Sequence, residues 1–142
     1  MRTMRELFRT LSLLVLISCP LHLVWESVHV RLYTGYEHLS PVLPIYVWAT
    51  IADVLYTLGA FALVSAFKGD TRWLQHATLR DYLALAAVGF FLALFVEYKA
   101  LALNRWAYLP EMPIIPYFHV GLSPIVQMTL LFPFSLLLVS LL

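Results

Sequence analysis

The stretch from Val96 to Gln127, VEYKALALNRWAYLPEMPIIPYFHVGLSPIVQ, decides how this chain is built. An apolar run ends at Glu97 and Lys99, a loop containing Pro110, Pro113 and Pro116 follows, and a second apolar run begins beyond it. Proline has no backbone N–H to give to a helical ladder, so the loop separates two helices. After Pro116 the four-residue spacing of His119, Ser123 and Gln127 predicts a polar stripe along one helix face. Glu97 lies inside a run that otherwise reads as membrane-spanning. An ionisable group in a bilayer costs several kcal/mol unless it is paired or faces a wet cavity, so each one is a candidate site residue.

Composition sets the class around that stretch. Hydrophobic residues make up 62% of the chain and charged residues 12%, against roughly 45–50% and about 25% in soluble domains. The chain reads as an all-α, polytopic membrane protein. At about 20 residues per span, its 142 residues hold four helices and short loops as a single transmembrane domain. A net charge of +1 with no Lys/Arg cluster gives no argument for a nucleic-acid partner.

In chain order, the hydropathy pattern predicts helices over about residues 8–30, 43–67, 82–103 and 117–142. Pro20 should kink the first helix just below His22. The first connection, RLYTGYEHLSPVLP, holds the turn signals Gly35, Pro41 and Pro44, and the second, KGDTRWLQHATLRD, is the most polar part of the chain. Arg2, Arg5 and Arg9 of the head and Lys68, Arg72 and Arg80 of the second connection outnumber Arg31, Lys99 and Arg105 on the other side. The positive-inside rule then predicts an up-down bundle with both termini cytoplasmic, in the cell's inner (plasma) membrane. Trp25, Tyr33, Tyr36, Tyr46 and Trp48, with Tyr98, Trp106, Tyr108 and Tyr117, are expected as an outer aromatic belt. Cys19 ends a lipobox-like Leu16-Ile17-Ser18-Cys19, but the apolar run continues beyond it, which favours an uncut first helix.

With that topology Asp53 falls roughly 15 Å below the start of the second helix, near mid-membrane. Gln127 reaches a similar depth, and Glu26, Glu97 and His119 lie higher. The cytoplasmic half carries almost no polar side chain beyond hydroxyls. The polar residues therefore converge on an outward-facing pocket above an apolar plug. His22, Glu26 and His29 share one face of the first helix, and Thr50, Asp53 and Thr57 one face of the second. Asp53 is expected to be neutral, paired with His22, or bonded to Gln127 or a threonine across the bundle. Glu97 either faces the pocket or pairs with Lys99 or Arg105 at the interface. Glu26 and His29 spell one Glu-x-x-His, and Glu97 has Ala100 where a second histidine would stand. Zinc on His22, Glu26, His29 and His119 is conceivable by residue type, but ligands scattered over separate helices are a weak signal, and no metal or cofactor is assigned. Gly59, Ala60, Gly89 and Ala93 are expected to let helices approach closely.

Trp25-Glu26, Leu32-Tyr33-Thr34, Asp53, Glu97, Asn104 and the runs W-x-Y-x-x-x-M-P (Trp106 to Pro113) and G-L-S-P-x-x-Q (Gly121 to Gln127) resemble a set of small four-helix membrane proteins of bacteria. That resemblance implies the fold and no particular activity. More distantly, the arrangement is similar to the emopamil-binding (EXPERA) family, which implies a sterol-like ligand and intramembrane acids in helices 1 to 3; that family's loop signatures are absent. Lycopene cyclase subunits share the W-x-Y-like loop, but their paired acidic motif is missing here.

The functional expectation is a pocket for a hydrophobic small molecule, such as an isoprenoid, sterol-like or quinone-like lipid. Asp53, Glu26 and Glu97 would serve as acids with His22 as proton partner, and His29, Trp25, Trp48, Asn104, Trp106, His119, Ser123 and Gln127 would contact the ligand. Any reaction would be proton-transfer isomerisation or cyclisation. The alternative is a non-catalytic accessory subunit whose polar residues lock helices together or meet a membrane partner or a second copy. A transmembrane proton path is disfavoured by the dry cytoplasmic half. A cavity beside the acids argues for binding, and acids wholly spent on each other argue for the accessory role.

Overall fold

The computed structural model describes residues 2–36 and 39–142, with side chains described over 4–36 and 45–142. Four helices account for most of it: α1 (Arg2–His29), α2 (Leu39–Lys68), α3 (Leu79–Ala102) and α4 (Leu122–Ser140). All four are long and apolar enough to cross a membrane. In such surroundings the backbone must satisfy its own polar groups, which a continuous helix does.

The helix ends differ from the sequence expectation for local reasons. α2 starts at Leu39 rather than residue 43, with Pro41 in the first turn, where a missing N–H forfeits no helical bond. α3 starts early because Thr78 and Asp81 close a capping box: the Thr78 backbone N–H and hydroxyl donate to Asp81 at 2.8 and 2.9 Å. α4 starts late, at Leu122. The segment before it folds instead into two short antiparallel strands, β1 (Ile114–Ile115) and β2 (Val120–Gly121). His119 turns the chain between them at φ 54°, and its N–H donates to the Ile115 carbonyl at 2.8 Å.

α4 lies against both α1 and α3, and α1 against α2, whereas α2 and α3 touch little. The ring of helices is thus most open between α2 and α3. Gly89 of α3 sits so close to α4 that a Cβ there would overlap the Met128 carbonyl, so the predicted close approach is real at this glycine. Gly59 has open space around it and serves no such contact. Along α1 and α4 the bonded pairs run in opposite order: Arg9 with the Leu142 carbonyl, Glu26 with Gln127, and His29 with Ser123.

The apolar core gathers Leu14, Phe61, Val64, Leu85, Phe132 and Leu136 with Trp73. Trp73 belongs to the second connection, expected to be a polar loop, yet it is 0% exposed. It stacks on Phe61 with ring centroids 5.8 Å apart, and its indole N–H donates to Ser65 Oγ at 2.9 Å. At the opposite end, the first and third connections are tied to each other. The Thr34 N–H donates to the Ala107 carbonyl and the Leu109 N–H to the Leu32 carbonyl, both at 2.9 Å, flanking a bridge between Tyr33 and Tyr108.

Candidate functional site

α1 presents His22, Glu26 and His29 inward, all buried, and α2 sets Asp53 and Thr57 opposite them. Each set falls on one side of its helix because side chains three, four or seven residues apart share a face. The Thr57 hydroxyl donates to the carbonyl of Asp53 at 2.8 Å, so its oxygen is left to accept from His22 Nε2 at 3.1 Å. The other ring nitrogen, Nδ1, faces Asp53 Oδ2 at 3.6 Å.

Gln127 of α4 joins the two helices through one atom. Its Nε2 lies 2.8 Å from Glu26 Oε1, 2.8 Å from Asp53 Oδ2 and 3.3 Å from His22 Nδ1. A carboxamide nitrogen carries two hydrogens. The two carboxyls take them at the shorter distances, which leaves His22 Nδ1 and Asp53 Oδ2 facing each other beyond hydrogen-bond reach. Glu26 is served on both oxygens, because His29 Nε2 lies 3.1 Å from Oε2. The second nitrogen of His29 meets Ser123 Oγ at 3.0 Å.

Glu97 of α3 stands across from this cluster and is also buried. Trp106 Nε1, at 3.3 Å, and the Tyr108 hydroxyl both donate to its Oε2. Above them Tyr33 packs its ring on His29, Trp106 and Tyr108, with centroids 5.6, 5.9 and 5.6 Å away. These aromatics form a packed cap, whereas the sequence reading placed them in an outer aromatic belt. Burial pushes the phenols of Tyr33 and Tyr108 above their ordinary range, and for Tyr108 the bond to Glu97 adds to it. Both therefore act as neutral hydroxyls. Neither interfacial cation pairs with Glu97: Lys99 Nζ sits 5.9 Å from the Phe95 ring centroid, and Arg105 has no ion pair among the described residues.

Between the cluster, Glu97 and the aromatic cap is a cavity of about 260 Å³. Glu26, Asp53, Glu97 and Arg105 supply its charged wall, and Ala49, Ala52 and Tyr56 of α2 and Val96 of α3 its apolar wall. It lies where α2 and α3 diverge.

The residues expected at the site divide into two groups. Asp53, Glu26, His22, His29, Ser123 and Gln127 are bonded into one network, and Glu97 and Trp106 line the same cavity. Trp48 is 70% exposed on the outside of α2. Trp25 is only half-buried and off the cavity, its indole N–H without a partner among the described residues. Asn104, exposed at φ 50°, turns the chain after α3. His119 is an exposed turn residue and does not share a helix face with Ser123 and Gln127, because α4 begins after it. The cavity wall also holds Tyr33, Tyr36, Tyr56 and Arg105, which the sequence reading did not put among the site residues. Thr57 was readable as a member of the Asp53 face; Tyr33 had no periodic signal because it sits in a connection.

No protein-family model, curated protein or solved structure matches this sequence.

Proposed function

We propose that the chain is a multi-pass membrane protein whose helices cross alternately, with both termini on the cytoplasmic side, and that its cavity binds a hydrophobic small molecule from the membrane. Location in the inner membrane is part of the same proposal, on the likeness to small bacterial four-helix membrane proteins. One observation carries the binding role: a cavity of about 260 Å³ with an apolar wall opens beside three buried carboxyl groups, at the loosest seam between neighbouring helices of the ring. A helix-locking function needs the acids but no space next to them. Ligand sites have this character, largely apolar with a few convergent polar groups. If chemistry follows binding, Asp53 with His22 is the proton-holding pair, and Glu26 and Glu97 are the other acids, for isomerisation or cyclisation of a double bond.

The accessory-subunit reading also has an observation in its favour. Glu26, Asp53, His22, His29 and Gln127 bond to one another across α1, α2 and α4. Native mass spectrometry of the wild type beside Ala49→Phe, which fills the cavity from its apolar wall without touching the network, separates the two. A stoichiometric non-phospholipid mass lost in the variant supports the ligand site. Bulk lipid alone on both proteins refutes it and leaves the network as a helix lock.

A further inference from the structure

One carboxyl oxygen in the cavity wall has no protein donor among the described residues. Trp106 and Tyr108 both donate to Oε2 of Glu97, and no described residue donates to Oε1. Yet Glu97 is only 3% exposed and lines the cavity. With no protein donor and an open side on the cavity, Oε1 is free to accept from a group that enters it. Three neighbouring nitrogen donors are committed elsewhere. The Gln127 amide serves Glu26 and Asp53, His29 lies between Glu26 and Ser123, and Lys99 lies over Phe95. Exposed Arg105 lines the same cavity, and its guanidinium makes no hydrogen bond or ion pair with a described residue.

We infer that the cavity takes a lipid-soluble alcohol or phenol, whose hydroxyl donates to Glu97 Oε1, accepts from the Arg105 guanidinium and leaves its hydrocarbon along Ala49, Ala52 and Val96 between α2 and α3. This inference rests on the ligand-binding reading above and names the class of ligand. A hydroxyl donates and accepts at a single atom, which matches Glu97 Oε1 and the Arg105 guanidinium together. A carboxylate head would set a like charge beside Glu97, Glu26 and Asp53, and an ammonium head would face Arg105. A ketone or ether would give Arg105 an acceptor and offer Glu97 Oε1 no donor. The hydrocarbon belongs between α2 and α3 because the cavity has its apolar wall there and the helices part there.

The probes are 4-nonylphenol and 4-nonylanisole, which differ by one methyl on the head oxygen. Each is incubated with the full chain in liposomes, and binding is measured as depletion in excess of protein-free liposomes. The expected result is saturable uptake of nonylphenol at one per chain, and at least about tenfold weaker uptake of nonylanisole, the scale of one hydrogen bond to a charged group. Glu97→Ala should bring the two probes together, and Arg105→Leu should weaken both. The wild-type comparison decides the matter without any variant. Equal saturable binding of the two probes overturns the hydroxyl assignment and leaves a ligand cavity standing. Saturable binding of neither overturns the cavity reading as well.

Discussion

The Thr57 hydroxyl, donating to the Asp53 carbonyl at 2.8 Å, can only accept from His22 Nε2, 3.1 Å away, and so sets which nitrogen of the ring carries hydrogen. His22 Nδ1 is thereby turned toward Asp53 and Gln127. Thr57→Val removes that acceptor and orphans a buried N–H, which costs about 1–3 kcal/mol. Thermal denaturation in detergent should show the loss, Thr57→Ser should restore most of it, and the ring ¹⁵N shifts of His22 should report Nε2–H in the wild type. An unchanged melting temperature in Thr57→Val would mean the pairing contributes nothing.

Gln127 bridges the carboxyls of α1 and α2 through one nitrogen. Gln127→Leu strips Glu26 and Asp53 of a shared donor and should destabilise by about 1–3 kcal/mol. Gln127→Glu should be worse, since it places a third carboxyl between two. Unfolding in a denaturing detergent orders the three proteins; a Glu variant as stable as the wild type would contradict the donor role.

The α3 and α4 backbones meet at Gly89. Gly89→Ala drives a Cβ into the Met128 carbonyl and should cost about 1–3 kcal/mol of overpacking strain. Gly59→Ala, in open space within α2, should be neutral or stabilising by about 0.5–1 kcal/mol. The same unfolding assay compares them, and equal effects at the two glycines would rule out the close contact.

Alkaline pH should loosen the aromatic cap. Burial holds the Tyr33 and Tyr108 phenols above the ordinary tyrosine value of about 10, so the fold favours their neutral forms. The associated stability is fully present below pH about 10 and is lost as pH rises through the folded values. Melting temperature should therefore fall above pH about 10, and fall less steeply in Tyr33→Phe and Tyr108→Phe. If absorbance at 295 nm shows every tyrosine ionising together at the ordinary pH, the cap is not buried.

Four spans, their approximate limits and the inward faces of α1 and α2 were legible in the sequence, because each depends on short-range pattern alone. Twenty apolar residues must close their own hydrogen bonds, and an acid or histidine recurring every three or four positions falls on one side of a helix. That regularity stops where helices stop. His119 stands four residues before Ser123, yet the chain around it turns at a left-handed backbone angle and pairs β1 with β2, so spacing lost its meaning there. Trp73 and Tyr33 read as connection residues, and their burial came from partners distant in sequence: Phe61 and Ser65 for one, Tyr108 across a backbone bridge for the other.

Tertiary structure also decided which face met which. That Gln127 reaches both Glu26 and Asp53, that Glu97 turns to Trp106 and Tyr108 in place of Lys99 or Arg105, and that α2 and α3 part to leave a cavity are all consequences of how four similar apolar cylinders pack. Hydropathy makes such cylinders nearly interchangeable, and their order and rotation follow from specific contacts between residues such as Gly89 and Met128, which no local pattern encodes.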